Sequence, residues 1–129
     1  MRVPPAYKKE VRKHFDYWVR ALRLQHWKLH LEVVPLLHMP KGPSTRGHCS
    51  HCYEAQVATI HVAYMSPAEQ SDWGHDFEQT VVHELLHLHF APLETTLQLP
   101  VPAIVYDNVW EVAIEQIARA LVRARRGDK

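Results

Sequence analysis

The stretch VVHELLHLHF, residues 81–90, places four ionisable side chains in an otherwise apolar run: His83, Glu84, His87 and His89. The first three fit the pattern H-E-x-x-H, in which the two histidines stand one turn apart on one face of a helix. Two such imidazoles can bind one tetrahedral zinc ion, and the intervening glutamate can take a proton from a zinc-bound water. The stretch therefore predicts a metal-binding helix with its own general base. His89 falls two residues past the motif and points elsewhere.

The same stretch also fits a core helix whose histidines are satisfied by hydrogen bonds. Eleven histidines in 129 residues raise the chance of an accidental match. Two features favour the metal site. Uncharged residues flank the motif, as a buried zinc helix requires. Glu84 would also lie among apolar side chains, where an unpartnered carboxylate costs free energy and a nearby cation would offset that cost.

We expect this helix to begin near Asp76 and to end at Phe90. Asp76 can cap the first turn, and Gln79 stands three residues further on, as in a capping box. A proline inside a helix removes one hydrogen bond and clashes with the preceding turn, so Pro92 is expected to lie beyond the helix end.

A last helix, predicted over residues 103–125, carries a second pair of side chains at the same interval as the two histidines. Glu111 and Glu115 share one face. The apolar stripe expected to be buried lies elsewhere on this helix and comprises Trp110, Ala113, Ile114, Ile117 and Leu121. One carboxylate can bind zinc, and the other can accept a hydrogen bond from the free ring nitrogen of a histidine ligand. The alternative is an exposed acidic pair on a surface helix.

Upstream of the motif, the sequence predicts one helix and at least two strands. Apolar residues recur at helical spacing over residues 6–25, namely Val11, Phe15, Trp18 and Leu22. Residues 27–34 and 56–64 alternate between apolar and polar side chains, as half-buried strands do. Residues 48–55 form a further strand or a turn. The order α-β-β(β)-α-α indicates the α+β class, with one domain spanning residues 1–129.

Composition and charge narrow the class of protein. The hydrophobic content of 47% and charged content of 22% are typical of globular domains, and no apolar run approaches the ~20 residues of a membrane span. The net charge of +1 argues against a nucleic-acid binder, which is usually basic overall. Residues 47–118, however, contain ten acidic residues and no lysine or arginine, which suits a divalent cation. With two cysteines and no secretory signal, we expect a cytoplasmic protein.

A second cluster, His48, Cys49, His51 and Cys52, contains one C-x-x-C half-site. No partner half-site follows at the usual spacing, so neither a structural zinc nor a redox pair is favoured. We interpret the cluster as a polar strand end or turn near a cleft, where a histidine can contact substrate.

At these residues the sequence resembles the gluzincin metallopeptidases, and above all the minimal single-domain members and small phage-encoded metallopeptidase-like proteins. His83, Glu84, His87, Glu111 and Glu115 match the family pattern in order and type. The resemblance covers about residues 57–121. It implies a zincin-like fold with a small, mostly antiparallel sheet and an edge strand, here residues 56–64, that pairs with an extended peptide substrate.

The resemblance also implies a role for each of these five side chains. Zn²⁺ would be held by His83, His87 and Glu111, with Glu84 as general base. Glu115 would accept a hydrogen bond from a ligand histidine.

The chain departs from the family in two respects. It has no room for the C-terminal subdomain that supplies an oxyanion-stabilising Tyr or His. Four residues stand as candidates for that role: Tyr106, Tyr64, His61 and His89. The linker from His87 to Glu111 is longer than in familiar members and contains three prolines. This length leaves Glu115 as an alternative third ligand.

Three functional hypotheses follow. The leading one is a zinc metallopeptidase, expected to be an endopeptidase, that hydrolyses peptide bonds of a peptide or protein substrate with Glu84 as base. The alternative is a catalytically weak or inactive metal-binding module that holds a partner. The third is a nucleic-acid-associated factor that acts through the basic first helix.

Overall fold

A computed structural model of the chain describes residues 2–69, 76–96 and 103–127, of which 94–96 and 103–107 are described by their backbone alone. Over these residues the fold is α+β, with three helices and a three-stranded mixed sheet. The elements in chain order are α1 (Pro5–Ala21), β1 (Lys28–Pro35), a short 3-10 turn (Leu36–His38), β2 (Gly47–Cys52), β3 (Val57–Tyr64), α2 (Phe77–Thr96) and α3 (Ala103–Arg126).

The sheet has the strand order β1-β3-β2. β1 pairs with β3 in parallel, from Lys28 opposite Val57 to Pro35 opposite Tyr64. β2 pairs with β3 antiparallel, from Gly47 opposite Val62 to Cys52 opposite Val57. The expected mostly antiparallel sheet is therefore wrong for β1 and β3. Parallel strands need a long crossover, and residues 36–56, which include β2, provide it.

The prediction that residues 56–64 form an edge strand is also wrong, because β3 lies between its two neighbours. In the part of the chain that the structure describes, β1 and β2 are the edge strands. β2 runs beside α2, so an antiparallel edge does lie next to the helix that carries the motif.

The core lies between the sheet and the helices, with α1 and α2 packed together and α3 packed against α2. The fully buried side chains that join these elements include Val11 of α1, Ile60 and Val62 of β3, Leu85 and Leu88 of α2, and Ile114 of α3. Burial of each such side chain contributes about 1.5–3 kcal/mol. α2 is the central helix because it contacts α1, α3 and the sheet.

α1 ends earlier than residue 25, the predicted end. Leu22 forms its C-cap and Arg23 adopts a left-handed φ of 57°, which stops the helix. The predicted spacing of Val11, Phe15 and Trp18 is confirmed, since all three are buried.

α2 continues past Phe90 and contains Pro92, so its predicted end is wrong. The buried face extends as far as Ala91, which is 0% exposed. Tertiary packing of this face outweighs the hydrogen bond that proline cannot make. At the other end, Asp76 caps the helix, because the backbone N–H of Gln79 donates to Asp76 Oδ1 (3.0 Å).

The buried stripe of α3 is rotated relative to the prediction. Ile114, Ala118 and Val122 are buried, whereas Ala113 and Ile117 are exposed. The rotation directs Glu111 and Glu115 towards α2. None of the described helices is long and apolar enough to cross a bilayer.

Candidate metal centre

The first part of the candidate metal centre is the face of α2 that is turned towards the protein interior. His83 is 9% exposed and Glu84 is 7% exposed, and His87 lies one turn further along, half-buried. One donor atom from each of these three residues lies within 4.8 Å of the others. The helical interval read from the sequence thus brings two imidazoles and a carboxylate together.

α3 adds the carboxylate of Glu111 to this group. Its Oε2 lies 2.8 Å from His83 Nε2, and its Oε1 lies 2.9 Å from His87 Nε2. Both imidazoles therefore present the same ring nitrogen to one carboxylate. Glu111 is more than twenty residues from the two histidines in sequence. The packing of α3 against α2 brings its carboxylate to their ring nitrogens.

Glu115, one turn further along α3, orients the first histidine. His83 Nδ1 donates to Glu115 Oε2 (2.6 Å), so the two ring nitrogens of His83 face two different carboxylates. Gln79 Nε2 donates to the other oxygen of Glu115. Glu115 is thereby fixed from both sides, and it fixes the tautomer and plane of the His83 ring.

The ion pairs alter the protonation of these groups. Burial lowers the pKa of His83, but the carboxylates of Glu111 and Glu115 raise it by more, to about 10. Hydrogen bonds from His83 and His87 hold the pKa of Glu111 far below its ordinary value. Without a bound cation, protonated imidazoles neutralise the carboxylates.

Glu84 differs from the other acidic groups of the centre. Burial raises its pKa to about 7, although His83 and His87 partly oppose that shift. A carboxyl group with a pKa near neutrality can both accept and release a proton at physiological pH. This property suits a general base.

The first residue of β2 passes directly over Glu84. A Cβ added to Gly47 would lie 2.6 Å from Thr80 Cγ2 and 2.7 Å from Glu84 Oε2. Contacts this short do not occur between a Cβ and other heavy atoms, so any side chain at position 47 would displace the side chains of Thr80 and Glu84. The edge strand and the candidate base are therefore in direct contact.

The donor set fits a zinc ion. Two neutral imidazoles and one carboxylate are typical of catalytic zinc, which leaves its fourth position open. Donors at zinc distances in tetrahedral geometry stand about 3.3 Å apart. The separations of 2.8 and 2.9 Å between Glu111 and the two imidazoles need to widen by only a few tenths of an ångström. His83, His87 and Glu111 are the residues that would hold the ion.

The centre opens into a cleft of about 890 Å³. α2 and α3 form two walls, and residues 44–47 form a third. His83, Glu84, Glu111 and Glu115 all line it, so a substrate in the cleft can reach the candidate base and ligands.

The three candidates for oxyanion stabilisation whose side chains are described do not line this cleft. His89 Nε2 bonds the carbonyl oxygen of Leu22 (2.7 Å), Tyr64 packs edge-on against Tyr7, and His61 packs near His48. The side chain of Tyr106 lies outside the described residues. His89 also falls outside the metal centre, as expected from its position on the helix.

The second His/Cys cluster forms strand β2 and does not assemble a metal site. Strand alternation places Cys49 and Cys52 on opposite faces of the sheet, and neither cysteine forms a disulfide bond. None of the four residues of the cluster lines the cleft, but His48 lies close enough to His87 for the charge of one imidazole to lower the pKa of the other. Contact of a histidine of this cluster with substrate stays a prediction.

Sequence reasoning missed two residues that shape the centre. The capping box predicts that the side chain of Gln79 turns back towards Asp76, but this side chain donates to Glu115 instead. The place of Gln79 four residues before His83 is the signal that could have identified it, because that interval puts both on one helix face. Gly47 opens a strand, and a glycine in a strand often marks a close backbone approach.

Comparisons with protein-family models, with curated proteins and with solved structures return no match for this chain.

Proposed function

We propose that the chain is a zinc-dependent peptidase. One observation carries the proposal. The Glu111 carboxylate faces Nε2 of both His83 and His87, while Nδ1 of His83 is held by Glu115. A surface acidic pair would not place both oxygens of one carboxylate against two histidines of a neighbouring helix. A zinc site built from the same residues would bring the same three donor groups together and hold the free ring nitrogen of a ligand histidine in the same way.

The side chains of the centre divide the chemistry between them. Held by His83, His87 and Glu111, a zinc ion would act as a Lewis acid, which polarises a carbonyl group and lowers the pKa of bound water to about 7. Glu84 then removes a proton from the attacking water and returns it to the nitrogen of the departing amine. Glu115 keeps the His83 ring in place throughout.

The outer edge of β2 is the proposed docking edge for an extended peptide. The sequence predicts β3 for this role, but β3 lies in the centre of the sheet and has no open edge. β2 begins at Gly47, beside Glu84, so a peptide paired along this edge would bring a backbone carbonyl next to the base. Absence of a side chain on Gly47 leaves room for that approach.

The proposal is tested by peptide cleavage with zinc-loaded protein. Wild type is expected to cleave members of a peptide library, and Glu84→Gln to cleave them about 10²–10⁴-fold more slowly, because the base is lost. Zinc content of the variant should equal that of wild type. Cleavage by Glu84→Gln at the wild-type rate would contradict the mechanism.

A second candidate is a metal-binding module with weak or no turnover. The positions of Tyr64, His61 and His89 favour it, because none of these described candidates for oxyanion stabilisation reaches the cleft. One zinc per chain together with no cleavage of any library peptide would support this candidate over the peptidase.

A further inference from the structure

The wall of the cleft formed by α3 changes charge along its length. Glu111, Glu115, Arg119 and Arg123 stand four residues apart, so they form one ridge, and all four line the cleft. The acidic end of the ridge belongs to the candidate metal centre. The basic end supplies none of the candidate ligands.

These two arginines lack the partners that neighbouring arginines have. Arg126 bonds both carboxylate oxygens of Asp76 (2.9 and 3.0 Å), and Arg125 donates to Glu78. In contrast, over residues 2–69, 76–96 and 103–127, the guanidinium groups of Arg119 and Arg123 form no ion pair or side-chain hydrogen bond. Arg119 contributes only a longer-range attraction to Glu115.

A third guanidinium group lines the same cleft from another wall. Arg46 belongs to the loop that leads into β2, and its side chain is likewise unpaired among the described residues. Among the described residues that line the cleft, Asp76 is the acid at this end, and it pairs with Arg126. Over the described part of the chain, the basic end therefore carries positive charge that no neighbouring carboxylate pairs with.

We propose that Arg119 and Arg123, together with Arg46, bind a carboxylate of the substrate, an inference that rests on the proposed peptidase function and specifies its substrate class. Guanidinium groups bind carboxylates through two parallel hydrogen bonds. The acidic residues at the other end of the cleft repel a polyanion, which favours a peptide with a local carboxylate over nucleic acid.

The spacing on α3 locates this carboxylate relative to the scissile bond. Arg119 lies two turns beyond Glu111, which is about 12 Å along the helix. An extended peptide covers that distance in about four residues. The carboxylate belongs either to an Asp or Glu side chain about three or four residues from the scissile bond or to a free C-terminus at that distance.

Binding can be measured without cleavage by using the zinc-loaded Glu84→Gln protein. The probes are fluorescein-labelled, alanine-based nonapeptides with one glutamate placed at each position in turn, their glutamine counterparts, and versions with an amidated C-terminus. Fluorescence anisotropy at low salt is expected to show about fivefold tighter binding for the best glutamate or free-acid peptide than for its neutral counterpart. Glutamate dependence identifies a side-chain carboxylate, and amidation dependence identifies the C-terminus.

Charge-matched variants test the assignment to these arginines. Arg119→Gln/Arg123→Gln should abolish the preference, and Arg119→Lys/Arg123→Lys should retain part of it. The control Arg12→Gln/Arg20→Gln removes the same charge from the exposed face of α1 and should leave the preference intact. Equal affinity for charged and neutral peptides, or an equal loss in the control, would overturn the proposal. Tighter, Arg119/Arg123-dependent binding of a labelled dT 12-mer would also overturn it.

The outcome is separable from that of the proposed function. Charge-dependent binding without cleavage by wild type would refute the peptidase but keep the carboxylate site. Cleavage without any charge preference would keep the peptidase and refute the carboxylate site.

Discussion

Glu78 and Glu84 are buried carboxylates on the same helix, 4% and 7% exposed, yet their surroundings are opposite. Glu78 accepts hydrogen bonds from Trp18 Nε1 (2.8 Å) and Arg126 (3.1 Å), and Arg125 also donates to it. Glu84 accepts no hydrogen bond from any described residue, and His87 Nε2 lies 4.0 Å from it. Glu78 accepts hydrogen bonds at both of its oxygens, whereas Glu84 accepts none from the described residues and can exchange a proton.

The pKa values of the two groups separate accordingly. Burial raises the pKa of Glu78, but hydrogen bonds from Trp18 and Arg125 lower it by more, so that it lies below its ordinary value of 4.5. Burial raises the pKa of Glu84 to about 7 with no comparable opposition from donors. Glu78 thus links α1, α2 and α3 through its hydrogen bonds near the start of α2. Glu84, further along the same helix, can act as a base.

The largest expected difference between the two sites is in stability. Glu78→Gln should lower the free energy of unfolding by about 2 kcal/mol, because buried hydrogen bonds to a charged acceptor are lost. Glu84→Gln should not lower it, because no hydrogen bond to Glu84 is broken. Urea denaturation of the metal-free proteins at pH 7 measures both. Equal losses in the two variants would show that the distinction between the sites is wrong.

Gly47→Ala tests the role of Glu84 from strand β2, whose first residue lies against this carboxylate. The new Cβ must displace both Thr80 and Glu84, so cleavage is expected to slow about tenfold while zinc content stays constant. Ser50→Ala, at an exposed position of the same strand, is the matched control. Unchanged cleavage by Gly47→Ala would place the reacting carboxylate elsewhere.

The smallest expected effect is the loss of folding stability at acid pH that protonation of Glu78 causes. Since the folded-state pKa of Glu78 is depressed, its stabilisation is complete above pH 4.5 and is lost as the pH falls through the folded-state pKa. Wild type should therefore lose about 1 kcal/mol more than Glu78→Gln between pH 5 and pH 3. Thermal unfolding across this range provides the comparison, and parallel curves for the two proteins would contradict it.

The helical period explains why much of the centre could be predicted from the sequence. Residues four apart share a helix face, so the sequence alone grouped His83 with His87 and Glu111 with Glu115. The structure brings these two pairs together across α2 and α3. Zinc binding itself stays a prediction.

Three other features of the fold depend on tertiary packing, so the local sequence pattern could not predict them. Alternation identified β1 and β3 as strands, but it carries no information on whether they pair in parallel. Pro92 is a local helix breaker, yet the buried face of α2 continues to Ala91. The rotation of α3 that exposes Ile117 depends on which face α2 presents to it.

The proposed peptidase activity depends most directly on zinc binding by His83, His87 and Glu111. Metal analysis after zinc loading and desalting should give one zinc per wild-type chain. Competitive titration should then show a loss of affinity above about 100-fold for Glu111→Ala and about tenfold for Glu115→Ala, since the first removes a ligand and the second an orienting group. Wild-type zinc affinity in Glu111→Ala, or no zinc in wild type, would contradict the account.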